Sequence, residues 1–427
     1  MGLGRDIAYA LAAGVTAPLW GGYLLRTGKH RTDWPGRFGR CDVPAKSAGK
    51  RRVLLHAVSV GEVNATRTLV DALAEAEVDL DIVVAATTNT GHARAVQVYG
   101  EHPRVAAVIR YPFDFSRAVR RLLDAVEPDL AALVELEVWP NFVEACTRRG
   151  VPVAVVNGRL SEKSFRGYRR FRPLVAPAFS KLAAVGAQTM AYADRFAALG
   201  VPPGRVHVLD TMKWDTANVQ EASGVAGADA LADDLGLDRA RPLIVAGSTG
   251  PGEERLLLAA RPERAQLLLV PRKPERFEEV ASLAPMRRRS KPEAHRDPRD
   301  VFLLDTMGEL RKAYALADVV VVGRSLTGLG GSDPIEPIAL GKPAIIGPDV
   351  HHFADVVRAF EQEGGIRKLP PSEAMSSNLA AALAELLDDA AARRDLARRG
   401  RAVIATHRGA TRRHVEMLRS VLDRGRG

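Results

Sequence analysis

Ten short apolar runs set the terms for this chain. Five of them, at 53–58, 82–86, 106–109, 130–134 and 153–156, are separated by gaps long enough for a crossover helix. Unbroken apolar strands alternating with helical stretches indicate a parallel sheet covered on both faces. The pattern restarts at 243–246, 267–270, 301–304, 319–322 and 344–346. A chain of 427 residues has room for two such cores. The expectation is an α/β chain of two Rossmann-like domains with parallel sheets, at 31–215 and 241–427. The stretch 216–240 is small and polar with several glycines, and reads as the linker. Residues 376–422 read as helices with arginine-rich faces and are assigned to the second domain.

The formal net charge of +10 is carried mostly by arginine. That suits an anionic partner: nucleic acid, a phosphorylated substrate or an acidic membrane surface. Aromatic residues make up 5% of the chain, and no run alternates them with basic residues, so no nucleic-acid partner is expected. Cys41 and Cys146 stand far apart. They fit a reducing compartment and give no zinc-ligand spacing.

Residues 7–25 carry no charge, close to the roughly 20 apolar residues that span a bilayer as a helix. Gly14, Pro18, Gly21 and Gly22 weaken it as a regular helix. Arg26, Lys29, His30 and Arg31 follow directly, which favours a cytoplasmic position for what comes next. Three readings stay open: a membrane anchor or interfacial helix over 1–30, a buried globular helix, and a cleaved signal peptide. Nothing downstream looks secreted, which disfavours the last. An apolar anchor helix is the expectation carried forward.

Two stretches carry chemistry in their own residues. The first is His56-Ala57-Val58-Ser59-Val60-Gly61-Glu62-Val63, directly after the first strand. Parallel sheets bind ligands beyond the C-terminal ends of their strands, so Glu62 is expected near the interdomain cleft. A carboxylate there can take a proton from an acceptor hydroxyl. It can equally be a glutamate favoured by a helix N-terminus. His56 reads as a hydrogen-bonded strand residue. The second stretch runs from Gly323 to Pro348. Gly323, Gly328, Gly330 and Gly331 let backbone N–H groups approach a ligand, with Ser325 among them. Asp333-Pro334 opens a helix. A strand, a glycine turn and a helix start together form a phosphate site. The plainer reading makes Asp333 an N-cap, Pro334 the first helical residue and Glu336 the acid of a capping box.

Glu336-Pro337 followed by Gly341-Lys342-Pro343 resembles the nucleotide-sugar site of glycosyltransferases with two facing Rossmann-like domains, the GT-B fold. There the glutamate accepts hydrogen bonds from the ribose hydroxyls. The residues from His56 to Val63 resemble the HxxSVGEV segment of the 3-deoxy-D-manno-octulosonic acid (Kdo) transferases, which move Kdo from CMP-Kdo to a lipid A precursor. Other motifs follow in order. Thr87-Thr88-Asn89-Thr90-Gly91 resembles TTxTG, and Pro112-Phe113-Asp114 resembles P-x-D. Glu135-Leu136-Glu137-Val138-Trp139-Pro140-Asn141 is similar to E-x-E-x-WPN. Asn157-Gly158-Arg159-Leu160-Ser161 with Ser164 resembles NxRLSxxS. Ala246-Gly247-Ser248-Thr249 with Glu253-Glu254 resembles AGST…GEE, and Pro271-Arg272 with Glu275-Arg276-Phe277 resembles PRHxERF. Asp305 to Leu310 matches DTMGEL, and Gly330 to Pro337 parallels GGHNxLEP.

The resemblance implies roles by position. Glu62 is the catalytic base, with Glu135 and Glu137 in the same catalytic group. Ser248, Thr249, Arg272, Arg276, Met307, Gly308, Glu309, Gly323, Ser325, Gly330, Gly331 and Glu336 hold the CMP moiety of the donor. Ser59, Asn157, Arg159 and Ser161 hold the acceptor. The implied reaction is inverting transfer of Kdo from CMP-Kdo to a lipid A precursor, on the cytoplasmic face of the inner membrane. No DxD metal motif is present, so neither a metal nor another cofactor is expected. Gly250, Lys273 and Ser332 stand where the family usually has histidine, and Asp333 stands for asparagine. Residues 209–213 replace a Gly-Asn-containing version. Most of these departures lie on the donor side. They keep open a GT-B transferase or epimerase using another nucleotide sugar, or an inactive relative that binds lipid A precursor.

Overall fold

The computed structural model describes residues 2–26, 32–216, 219–291 and 300–424. They fall into two compact units, Met1–Thr216 with Gly409–Gly427, and Ala217–Arg408. The first holds β1 (Arg51–Ala57), β2 (Leu80–Ala86), β3 (Val105–Arg110), β4 (Leu130–Val134), β5 (Val153–Gly158), β6 (Ala184–Ala187) and β7 (Val206–Val208). They pair in the order β3-β2-β1-β4-β5-β6-β7, and all pairs are parallel. Strand order reverses between β1 and β4. Ligands bind at such a switch point in open parallel sheets, and Glu62 and Glu135 follow those two strands.

The second unit repeats the plan. Its strands are β8 (Leu243–Thr249), β9 (Gln266–Pro271), β10 (Arg287–Arg288), β11 (Val301–Leu303), β12 (Val319–Val322), β13 (Ala344–Ile346) and β14 (Arg367–Lys368). They pair as β10-β11-β9-β8-β12-β13-β14, and the switch point lies between β8 and β12. In both units the central strands are buried end to end. That is why they read as continuous apolar runs rather than alternating ones.

Three expectations about organisation change. The stretch read as a linker at 216–240 contains the helix Ala228–Leu235. Ala228, Leu231, Ala232 and Leu235 are buried at helical spacing, between left-handed Gly227 and Gly236. This segment belongs to the second unit. The last helix, Ala410–Arg424, returns to the first unit, although the sequence assigned it to the second. Val415, Leu418, Val421 and Leu422 enter the core beside Leu69 and Leu73.

The third change concerns the N-terminus. Gly2–Arg26 is one helix, yet among the described residues no helix is long and apolar enough to cross a membrane. The uncharged stretch is rich in alanine and glycine, whose transfer to hydrocarbon gains little. Arg5 and Asp6 near its start are tied to the first unit. Asp6 accepts from the Ser116 amide (3.0 Å) and the Asn141 side-chain amide (3.0 Å), and Tyr9 donates to Asp114 (3.2 Å). Lys29, His30 and Arg31 lie outside the described residues.

Candidate active site

In the first unit, β1 ends in a turn into the short helix Val60–Ala65, capped by Ser59. Ser59 Oγ accepts from the Glu62 amide at 3.4 Å and donates to Glu62 Oε1 at 2.9 Å. The Val58 amide donates to Glu62 Oε2 at 2.8 Å. This is close to a capping box, and it aims the carboxylate while leaving lone pairs unused. Burial pushes the Glu62 carboxyl up to about 7. The Val58 and Ser59 bonds oppose that rise, and the charges of Glu135 and Glu137 add to it. The three glutamates therefore act on one another electrostatically. Glu137 accepts from the Trp139 indole at 2.8 Å, and burial holds its carboxyl above the usual range.

Glu135 sits just past β4 at φ +59°, a left-handed backbone uncommon outside glycine. Its amide bonds the Val156 carbonyl (3.0 Å), and its carbonyl accepts from the Arg159 amide (3.4 Å). Asn157, expected to meet the acceptor, is also left-handed and fully buried. Its amide donates to His414 Nε2 at 2.9 Å, its Oδ1 accepts from the Met212 amide at 3.1 Å, and its carbonyl accepts from Gln188 at 2.9 Å. It is a structural hub, a correction that follows from its burial. His414 Nδ1 bonds the Ala410 carbonyl (2.8 Å), which leaves Nε2 as the acceptor. No sequence signal tied this histidine, some 250 residues away, to Asn157. Ser161 caps the helix Glu162–Arg170 by accepting from the Ser164 amide. His56 is buried, bonds Thr87 at 2.9 Å and stacks on Tyr111, consistent with a strand role.

The P-x-D and WPN motifs gain a purpose from the structure. Asp114 accepts from the amides of Asn141 (2.9 Å) and Phe142 (2.8 Å) and from Tyr9. It fixes the start of the helix Pro140–Arg148, three residues after Glu137, and joins it to the N-terminal helix.

In the second unit the acids bind the loops together. Glu253 is fully buried and accepts three backbone N–H bonds, from Gly250 (2.8 Å), Arg324 (2.6 Å) and Leu326 (2.8 Å). It ties the turn after β8 to the turn after β12. Glu254 takes Thr249 Oγ1 at 2.6 Å and both ends of the Arg276 fork at 2.7 and 3.0 Å, and Arg276 also holds Glu279. Arg276 and Thr249, expected at the nucleotide, are thus committed to this network. Ser325 is also fully buried. It donates to the Val322 carbonyl (2.5 Å) and accepts from the Gly347 amide (2.8 Å).

The glycine turn is spent in the same way. The amides of Gly323, Gly330, Gly331 and Ser332 donate to Gly247, Asp349, Arg324 and Gly323 respectively. Three of the four glycine amides expected around a phosphate, those of Gly323, Gly330 and Gly331, are therefore already committed. The adjoining helix, Ile335–Ala339, begins one residue later than expected, with Pro334 at the cap. Asp333 Oδ1 takes the Ile335 amide at 2.9 Å, so its charge is used locally. Gly250 has a steric reason, since a side chain there would meet Leu329 Cδ1 at 2.3 Å.

What remains open in this unit is Arg272, Glu336, Ser248 and the loop of Met307 and Gly308. Arg272 is exposed and has no carboxylate partner among the described residues. Glu336 is partly exposed, with Arg311 at 3.9 Å. Burial raises its carboxyl, and the charge of Asp333 adds to that. Ser248 is left-handed at φ +59°. Met307 is exposed, and Glu309 is held by Thr306 (2.6 Å) and Lys312 (3.1 Å). Tyr314, buried against Gly247, feels the charges of Glu336, Asp333 and Arg272. Among the described residues no group of His, Cys, Asp and Glu is arranged to hold a metal ion.

Two parallel-sheet units in one chain, each with its polar groups beyond a switch point, define the class: a GT-B-like α/β fold. UDP-GlcNAc 2-epimerase from Neisseria meningitidis matches with a TM-score of 0.58 at 15% identity, over 86% of this chain and 100% of that one. Anabaena HepE in complex with UDP matches with a TM-score of 0.59 at 14% identity, over 87% and 100%. The sequence is more specific. Residues 32–216 match the family model for 3-deoxy-D-manno-octulosonic-acid transferase (kdotransferase). The Kdo transferase of Bordetella pertussis is 34% identical over 97% of this chain and 99% of its own length. That of Haemophilus influenzae is 30% identical over 91% and 90%. The chain belongs to the Kdo transferase family.

Proposed function

We propose that the protein is an inverting glycosyltransferase that moves Kdo from CMP-Kdo to a lipid A precursor in lipopolysaccharide core biosynthesis. The observation that carries the reading is Glu62. Its carboxylate is aimed by the Val58 amide and the Ser59 hydroxyl, and its pKa is pushed up to about 7. A general base works best when its pKa lies near the operating pH. In the reaction the acceptor oxygen attacks the anomeric carbon and passes its proton to Glu62. The bond from that carbon to the CMP phosphate breaks on the opposite side. Its electron pair leaves with CMP as a phosphate monoester, a leaving group good enough to need no acid. With the amides of Gly323, Gly330 and Gly331 committed, the developing phosphate charge falls chiefly to Arg272, whose fork matches phosphate. Glu336 accepts from the ribose hydroxyls, and Ser248 with the Met307–Gly308 loop borders the nucleotide.

The acceptor is an amphiphile, and the N-terminal helix supports work at the cytoplasmic face of the inner membrane. Its polar side docks on the first unit through Asp6 and Tyr9. Its other side exposes Ile7, Leu11 and Val15, so the helix lies along the membrane surface rather than crossing it.

The test is transfer from CMP-Kdo to a tetraacylated lipid A precursor by wild type and by Glu62→Gln, alongside CMP binding. Turnover in the variant falls about 10²- to 10⁴-fold, the usual worth of a general base, with CMP affinity retained. Near-full activity in Glu62→Gln removes Glu62 from the role.

A further inference from the structure

The helices Ser116–Val126 and Pro140–Arg148 pack on the same face of the first sheet, their apolar sides in one core. Between them runs a groove of about 520 Å³, lined by Arg117, Arg120, Arg148 and Arg149 together with Asn141 and Asp6. Arg149 pairs with Asp124 at 2.5 Å, and Arg148 stands 3.7 Å from Glu144. Arg117 and Arg120 lie one turn apart, are exposed, and have no acidic partner among the described residues. Asp6 is the one carboxylate among the groove's lining residues, against four guanidinium groups. Its Oδ1 is taken by the Ser116 amide, the Ser116 hydroxyl and the Asn141 side chain. The guanidinium groups outweigh it, and Arg117 and Arg120, with no acidic partner among the described residues, match phosphate oxygens in shape and sign.

Asp6 also belongs to the N-terminal helix, and the next residue starts that helix's outward stripe. Ile7 (52% exposed), Leu11 (65%) and Val15 (80%) recur every four residues, on one side over about 12 Å. A basic groove thus adjoins an exposed apolar stripe, with Asp6 common to the groove's lining and to the helix that bears the stripe. A bilayer surface offers the complement of both, anionic phosphates beside an apolar layer.

We infer that this groove holds the phosphate of an anionic lipid headgroup while Ile7, Leu11 and Val15 enter the acyl layer beside it. The inference rests on the surface-lying helix argued above. It goes further by naming the lipid's charge and the residues that read it, none of which belongs to the transfer site. The groove makes membrane attachment selective for anionic lipid, and the stripe makes it apolar.

The experiment is flotation of the full chain with phosphatidylcholine vesicles and with vesicles that also contain phosphatidylglycerol. Wild type is compared with Arg117→Gln/Arg120→Gln, Arg117→Lys/Arg120→Lys and Leu11→Ser/Val15→Ser. Wild type should prefer the anionic vesicles. The glutamine pair should lose that preference roughly thirtyfold, the weight of two basic side chains near an anionic surface, and the lysine pair should keep most of it. The glutamine pair should still transfer sugar to a detergent-dispersed acceptor at the wild-type rate. The serine pair should bind both vesicle types more weakly. Unchanged anionic preference in the glutamine pair overturns the groove. Displacement of wild type from anionic vesicles by inorganic phosphate, at the concentration at which phosphate binds the lipid-free chain, assigns the groove to free phosphate instead. Failure of wild type to float with either vesicle overturns the surface-lying helix as well, and leaves the transfer chemistry of Glu62 untouched.

Discussion

The glutamates beyond β1 and β4 and those beyond β8 lie past the switch-point strands of two sheets of like topology, and they are bonded in opposite ways. Glu62 and Glu137 are held by an amide, a hydroxyl and an indole. With Glu135 they share a region where burial, and after it the like charges, push the Glu62 carboxyl up to about 7. In the second unit, Glu253 is spent on three amides and Glu254 on Arg276 and Thr249. The basic Arg272 is left over. The lesson is one of surplus: a carboxylate with unused basicity suits removal of a proton, and an unpaired guanidinium suits a departing phosphate. The two sheets share left-handed non-glycine residues at their strand ends, Glu135 and Asn157 in one, Ser248 and Arg324 in the other. Such backbone costs about 1–3 kcal/mol and persists where surroundings hold it. The tight networks around each supply that hold.

The largest expected effect breaks the second unit's network. Arg276→Met leaves Glu254 buried with Thr249 as its remaining partner. Removing one member of a buried pair costs about 3–5 kcal/mol, read as a lower midpoint in chemical denaturation. A loss under about 1 kcal/mol, the range of an exposed pair, would show that these acids do not lock the loops.

A smaller effect asks whether the groups left over are the working ones. Glu336→Ala should weaken CMP binding roughly ten- to a hundredfold, since hydrogen bonds to a charged group contribute about 1.5–3 kcal/mol. If instead the variant melts earlier and binds CMP as before, Glu336 serves the helix Ile335–Ala339 alone.

Most central strands were legible because parallel strands buried on both faces are rich in valine, leucine and isoleucine. The edge strands of the second sheet were not. β10 is Arg287-Arg288 and β14 is Arg367-Lys368, polar pairs that only their neighbours make into strands. β6, Ala-Val-Gly-Ala, is too small in its side chains to stand out. The last helix was legible as a helix, but which core receives Val415 and Leu418 is a long-range fact. At the site, the position of Glu62 directly after the first apolar strand gave it its place. The glycine turn misled, because its residue types say that amides can reach a ligand and not whether the chain has already used them. Asn157 and Ser325 misled likewise, since a motif position carries no information about burial.

The central claim, a base whose pKa is raised by burial and further by neighbouring carboxylates, is tested most directly by kcat/KM for Kdo transfer against pH in wild type and Glu135→Gln. A protonated Glu62 cannot accept the acceptor's proton, so activity should fall as the pH drops through about 7. Glu135→Gln removes one of the charges that raise that value, so the acid limb should move to lower pH by a fraction of a unit. A limb near the ordinary glutamate value of 4.5, or one that Glu135→Gln leaves in place, would contradict the account.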